Sequence, residues 1–238
     1  MMIYDIAGLR IDIQNRCKFT EKFCEGYLSD NQISAADLSV FVTNEEFYAE
    51  KSNPGNFSDG YIENICLYRN ICKQLPNLDR FLLHSAILQY ENEAFAFLGK
   101  SGTGKSTHTG LWCKHLDGVR IVNGDKPILQ WKDNEFLAYG TPWMGKEGLG
   151  SNTVAPLKGL CFLEQSPINE IVRLTPAQAA NRIFTQVLMP QDMENAEKTL
   201  ELLDKLVTIV PSYLLKCTIS EEAVKLSFEA LTGKKYPL

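Results

Sequence analysis

Apolar and polar residues alternate in MIYDI and again in LRIDI at the start of the chain, with Ala7-Gly8 between them. That pattern predicts two short strands joined by a turn. DLSVFVT at residues 37–43 alternates in the same way and predicts a third strand, after an Asn- and Ser-bearing stretch suited to loop or short helix. Residues 52–60, SNPGNFSDG, are turn chemistry. The spacing then changes. YIENICLYRNICKQL places Ile62, Ile65, Leu67, Ile71 and Leu75 close to helical period, and the pattern stops before Pro76.

FLLHSAILQY and AFAFLG predict two strands joined by a tight turn at the polar ENE. STHTGLWCKHL predicts a helix, VRIVNGD a short buried strand, and ILQW and EFLAYG a hairpin turning at KDN. LKGLCFLE and EIVRL add strands. LTPAQAANRIFTQVL opens on Thr175-Pro176-Ala177-Gln178, a capping box with Pro at the first helical position. ENAEKTLELLDKLVTIV keeps helical period, SYLLKC predicts a strand, and SEEAVKLSFEALTG a helix capped by Ser220 and closed by Gly233. No internal repeat is present. The expected architecture is α/β: a core of sheet and helices over residues 80–238, with an N-terminal α+β portion, residues 1–79, packed on it.

Composition narrows the function. The 238 residues carry a net charge of −5, with 45% hydrophobic and 22% charged residues, ordinary values for a soluble globular protein. No broad basic surface is available for nucleic acid or an anionic membrane, although a local positive pocket remains compatible. Seven cysteines, odd in number and without a CxxC pair, suit idle thiols in a reducing compartment. The first residues lack the apolar centre of a signal peptide, and no window is apolar long enough to span a bilayer. A cytoplasmic location is expected.

The stretch LGKSGTGKSTHTG stands apart, because four glycines, two lysines and a run of hydroxyls pack poorly in strand or helix. Gly99-Lys100-Ser101-Gly102-Thr103-Gly104-Lys105-Ser106 satisfies GxxxxGK[ST], with a strand pattern before it and a helix pattern after it. Chance would supply the four fixed positions in roughly one chain in a hundred of this size, and the flanking patterns make that rarer. Such a loop turns successive main-chain N–H groups into one hollow, and the following helix adds its free amides and positive dipole end. Lys105 is expected on the β and γ phosphates, Ser106 on Mg²⁺, and Thr107 in support of that turn. The chain is therefore expected to bind a nucleoside triphosphate, ATP, with Mg.

A metal-bound phosphate also needs a carboxylate at the end of a neighbouring strand. Asp125 follows Ile121-Val122, some 20 residues past Lys105, which leaves room for one helix and a return strand. An Asp introducing a turn before Pro127 is the plainer reading of the same residue. His84, in FLLHSA, is either a hydrogen-bonded core residue or a site residue. His108 lies in the helix after the loop, and His115 suits a cation at that helix's C-terminal end. YGTPWMGKEGLGSN, residues 139–152, is rich in glycine and carries Trp143 and Lys146. It is either a surface loop with its Trp folded inward or a loop hugging a ligand.

HSA, the glycine loop, the NGDKP turn and GTPW together resemble the P-loop kinase fold shared by HPr serine kinase/phosphorylase and ATP-dependent phosphoenolpyruvate carboxykinase. More specifically they resemble small bacterial HPr-kinase-related proteins whose acceptor is generally not established. The resemblance covers about residues 80–190; VPSYLLKC with its following helix is also similar, and the N-terminal portion only loosely so. It implies a mixed sheet flanked by helices, a His on the strand before the loop at His84, and two adjacent aspartates where this chain has Gly124-Asp125. It also implies an acceptor-side role for Trp143 and Lys146, with Lys146, Arg173 and Arg182 as cations among which the sequence does not choose.

Two function classes follow. One is an ATP-dependent kinase transferring phosphate to a hydroxyl of a protein, peptide or small metabolite, with Lys105, Asp125 and His84 as its catalytic residues. The other is a non-catalytic nucleotide-binding module, because Gly124 cannot accept a proton. Loss of a general base costs about 10²–10⁴ in rate, while nucleotide binding survives it. An oligomer is compatible with either.

Overall fold

The computed structural model describes residues 2–237. Strands β1 (Met2–Ile6) and β2 (Leu9–Gln14) form the expected hairpin, with Ala7 and Gly8 both at positive φ, as a two-residue hairpin turn requires. Helix α1 (Lys18–Phe23) lies in the connection to β3 (Leu38–Phe41), which pairs parallel to β2. Helix α2 (Asn44–Lys51), which the hydrophobic pattern did not reveal, buries none of its residues and starts on a Thr43–Glu46 capping box. Helix α3 (Asp59–Gln74) gives way to a single 3-10 turn at Leu75–Leu78, where Pro76 removes an N–H. Its Leu67 and Ile71 pack with Ile6, Ile11 and Val40 in one apolar cluster, which also takes in Leu82, Ile128 and Trp143 from later in the chain.

The remaining chain builds a mixed sheet of nine strands. In chain order these are β4 (Arg80–Leu82), β5 (Ser85–Tyr90), β6 (Glu93–Leu98), β7 (Arg120–Asn123), β8 (Ile128–Lys132), β9 (Glu135–Tyr139), β10 (Val154–Gln165), β11 (Glu170–Arg173) and β12 (Ser212–Cys217). They run in the order β4-β8-β9-β10-β6-β5-β7, with β12 between β10 and β11. Helix α4 (Lys105–His115) follows β6, α5 (Pro176–Ile183) and α6 (Met193–Ile209) follow β11, and α7 (Glu221–Thr232) ends the fold.

β6 shows why AFAFL is apolar throughout. Ala94, Ala96 and Leu98 face the core shared with α5 and α6, while Phe95 and Phe97 face the core shared with α4 and α7. A strand covered on both faces keeps no polar side.

Three elements depart from expectation. FLLHSAILQY is two strands: the chain steps at Leu83-His84, because β4 pairs with β8 whereas β5 pairs with β6 and β7. Leu83 N–H to Pro127 O (3.1 Å), His84 N–H to Gln186 O (2.7 Å) and Ser85 N–H to Asp125 O (3.1 Å) hold the step. The helix from Pro176 ends at Ile183 and tightens into a 3-10 turn at Phe184–Gln186, which supplies that Gln186 carbonyl. β10 begins at Val154, ahead of the expected LKGLCFLE, and its first three residues, Pro156 included, pair with β9. No helix among the described residues is long and apolar enough to cross a membrane.

The sheet positions the site by direction alone. β6 and β7 run the same way, with β5 antiparallel between them. The start of β5 and the ends of β6 and β7 therefore meet at one edge.

Candidate functional site

At that edge the loop 99–104 leaves β6 and enters α4. Gly104 is the residue before the helix, at φ 100, a conformation that favours glycine, and it offers no side chain to cap the first turn. The amides of Lys105, Ser106 and Thr107 open the helix and have no carbonyl one turn back to bond. Thr103 is turned inward, its Oγ1 and N–H both bonded to Lys100 O at 2.9 and 3.2 Å. Gln165 at the end of β10 donates to Gly102 O at 3.1 Å and steadies the tip.

Lys105 is 8% exposed, and its Nζ donates to Gly99 O at 2.8 Å. The ammonium is folded against its own loop. Burial lowers its pKa, partly offset by the charge of Asp125 and reinforced by Lys126. Ser106 is half-buried, and Lys100, Ser101 and Thr107 are exposed.

Across the edge, His84 Nε2 lies 3.2 Å from Asp125 Oδ1, and Lys126 Nζ bonds Asp125 Oδ2. Burial on its own would raise the Asp125 pKa; the hydrogen bonds from His84 and Lys126, with the Lys126 charge, outweigh it and bring the group down to about 2. Asp125 is thus ionised at any working pH. Its turn is pinned by Asn123, which is fully buried. Asn123 Oδ1 accepts the N–H groups of Asp125 (2.9 Å) and Lys126 (2.7 Å), and its Nδ2 donates to Thr141 O at 3.0 Å. Thr141 Oγ1 closes the ring by donating to Lys126 O at 2.7 Å. The NGDKP and GTPW motifs are therefore one hydrogen-bonded unit that aims a carboxylate.

Gly124 fits the same unit. Its N–H donates to Leu149 O at 2.9 Å, and a Cβ there would stand 3.0 Å from Met144 O and 3.2 Å from Leu149 O. The loop between β9 and β10 fills the space that a first aspartate side chain would need.

These groups line a cleft of about 630 Å³. His84, Gly102, Gly104, Lys105, Ser106 and Asp125 are among its lining, and Lys146 lies exposed at it. Trp143 also lines it, but only 6% of that side chain is exposed; Nε1 donates to Asn64 Oδ1 at 3.0 Å, and the ring packs 5.7 Å from Tyr68. Arg173 and Arg182 are not in the lining, and Arg182 pairs with Glu164 at 2.6 Å. His108 is buried and hydrogen-bonds Ser227 at 3.0 Å, and His115 Nδ1 stands 3.5 Å from Glu221. A second hollow of about 380 Å³ lies on the other flank of the glycine loop, against Leu111, Leu163, Gln165 and Thr218. Gly102, Gly104 and Thr107 line both hollows.

Sequence reasoning passed over Lys126 and the α3 residues Tyr61, Asn64, Ile65 and Tyr68, all of which line the main cleft. Their spacing of three, one and three is a helical stripe, visible in the sequence once α3 is drawn. No group of three or more His, Cys, Asp or Glu suited to hold a metal ion occurs among the described residues.

No protein-family model matches the chain, and no curated protein matches it. Among solved structures it is similar to the Hpr(Ser) kinase/phosphatase from Coxiella burnetii. The identity is 12% and the TM-score 0.38, over 64% of this chain and 88% of that one. A likeness that loose decides nothing about the site, whose reading stands on the residues above.

Proposed function

We propose that the chain is a nucleotide-dependent phosphotransferase, moving the γ-phosphoryl group of ATP to a hydroxyl acceptor. The observation that supports this most is the meeting of Lys105, Asp125 and His84 at one sheet edge beside unpaired helix-opening amides. The polyphosphate takes the hollow of residues 99–107, where Lys105 exchanges the Gly99 carbonyl for phosphate oxygens. Base and ribose take the second hollow, which shares three residues with the first.

One ionised carboxylate, Asp125, and one hydroxyl, Ser106, suit a magnesium ion already carried by phosphate oxygens, although they would not make a metal site alone. When bound, that ion supplies charge neutralisation at the transferring oxygens. The acceptor oxygen bonds to the γ-phosphorus as the bond to the β–γ bridging oxygen breaks, and that electron pair leaves with ADP. Asp125 on Nε2 of His84 holds the proton there and leaves Nδ1 free to take the acceptor's proton. Asp125 itself, held at about 2, is too weak a base for that task.

Lys105→Ala is expected to weaken ATP binding about 10- to 100-fold, as loss of a charge-assisted contact does. Asp125→Asn is expected to remove the gain that Mg²⁺ adds while leaving affinity in EDTA unchanged; calorimetry reads both. Unchanged ATP affinity in Lys105→Ala overturns the assignment. The Met144 and Leu149 carbonyls beside Gly124 favour a second reading, a nucleotide-binding module without turnover. Release of labelled phosphate to acceptors in a cell extract separates the two.

A further inference from the structure

Both oxygens of the Asp125 carboxylate are engaged within the chain. Oδ1 lies 3.2 Å from His84 Nε2, and Oδ2 accepts from Lys126 Nζ. Lys126 cannot leave by a backbone movement, because its main chain is held on both sides. Its N–H donates to Asn123 Oδ1 at 2.7 Å, its carbonyl accepts from Thr141 Oγ1 at 2.7 Å, and the next carbonyl, Pro127 O, accepts from Leu83 N–H at 3.1 Å. Only the side chain can swing. It has a second seat at hand, since Nζ stands 5.8 Å from the centre of the Tyr68 ring on α3, a cation–π distance.

This arrangement treats two forms of a divalent metal differently. The cleft lining carries Lys105, Lys126 and Lys146 against Asp125 and Glu147. A bare cation entering it is repelled by the ammonium groups, and must displace Lys126 to gain one carboxylate oxygen. A metal on ATP arrives inside an anion, which the same lysines attract. Its phosphate oxygens already fill part of its coordination, and they also neutralise the ammonium that it displaces.

Resting on the nucleotide-binding reading above, we propose that Lys126 is a positioning residue that guards Asp125. It keeps free divalent metal out of the empty cleft and yields the carboxylate only to metal carried on a nucleotide. On that exchange Oδ2 passes to the metal, Nζ keeps the Tyr68 face, and His84 keeps Oδ1. Metal and nucleotide therefore enter together.

The test uses Mn²⁺ as probe, titrated into nucleotide-free, full-length protein and followed by the electron paramagnetic resonance of the unbound ion. Lys126→Met and Lys126→Gln are each expected to bind Mn²⁺ at least about tenfold more tightly than the unaltered protein. Lys126→Arg keeps the charge and is expected to stay within about twofold of it. Adding Asp125→Asn to Lys126→Met is expected to abolish the gained binding, which assigns it to that carboxylate. Calorimetry with ATP gives a second readout. Lys126→Met is expected to weaken ATP about tenfold in EDTA, where the bare carboxylate faces the phosphates, and less with Mg²⁺ present. Neutral variants that bind Mn²⁺ no better than the unaltered protein overturn the proposal, as does equal tightening in Lys126→Arg or a gain that survives Asp125→Asn. Those results leave the nucleotide reading standing if ATP still binds. Failure of the unaltered protein to bind ATP with Mg²⁺ overturns that reading and this inference with it.

Discussion

His108 shows what burial does to a single side chain next to the loop. It stands one turn beyond Lys105, packs 4.9 Å from the Phe97 ring, and shares the Ser227 hydroxyl with the Trp112 indole. Burial lowers its pKa from 6.5 to about 4. The folded state therefore refuses a proton that the unfolded chain accepts. The stability this gives is present above about pH 6.5 and is lost as pH falls toward 4, by an amount on the order of 3 kcal/mol. Thermal melts from pH 7 to 4 are expected to show that loss, and His108→Gln to flatten it; an equal slope in the variant places the acid sensitivity elsewhere. Gly124 makes a second prediction. Gly124→Asp and Gly124→Ala are both expected to destabilise by about 1–2 kcal/mol, because each presses a Cβ on the Met144 and Leu149 carbonyls. Neither is expected to raise turnover. A gain in rate in Gly124→Asp alone means that the loop yields and that the missing carboxylate was limiting. At this scale the sequence offered Lys105 through its motif, and Asp125 through its spacing only as an alternative to a plain turn before Pro127. It did not declare Lys126 or Asn64, whose significance arises only when α3 is laid against the NGDKP turn.

Elements were legible where their pattern was set by one neighbour. The β1–β2 hairpin, α6 and α7 carry simple periodicities and caps. The step at His84 was not legible, since both strands it joins are apolar and only their different partners break the run. The early end of α5 has the same origin: Gln186 O serves His84 rather than another helical turn. α2 escaped because a helix with no buried face leaves no stripe, and its capping box is the only local signal. The loop between β9 and β10 is the element with least tolerance. A Cβ at Gly140 would stand 1.8 Å from Ser151 O and 2.7 Å from Val122 O. Gly140→Ala is expected to cost about 3 kcal/mol and to reduce Mg-dependent nucleotide affinity along with Tm, because Thr141 anchors the Asp125 turn. A variant with native Tm shows that this backbone is free to move.

For the molecule as a whole, the N-terminal portion shares both its core and the cleft with the larger sheet. Leu82, Ile128 and Trp143 complete the cluster of β1, β2, β3 and α3, and Arg80 Nε donates to Ala7 O at 3.0 Å. A chain starting at residue 80 is expected to expose those side chains and to elute as aggregate in size-exclusion chromatography; a monomeric, cooperatively melting fragment means that the larger sheet folds alone. The contact between Trp143 and Asn64 also has an optical consequence. This indole is almost wholly buried yet lines the cleft, while Trp112 and Trp131 are not among its lining and give a constant background. The protein thus carries its own chromophore in the wall of the cleft, and emission intensity can follow filling of the cleft in real time without any dye.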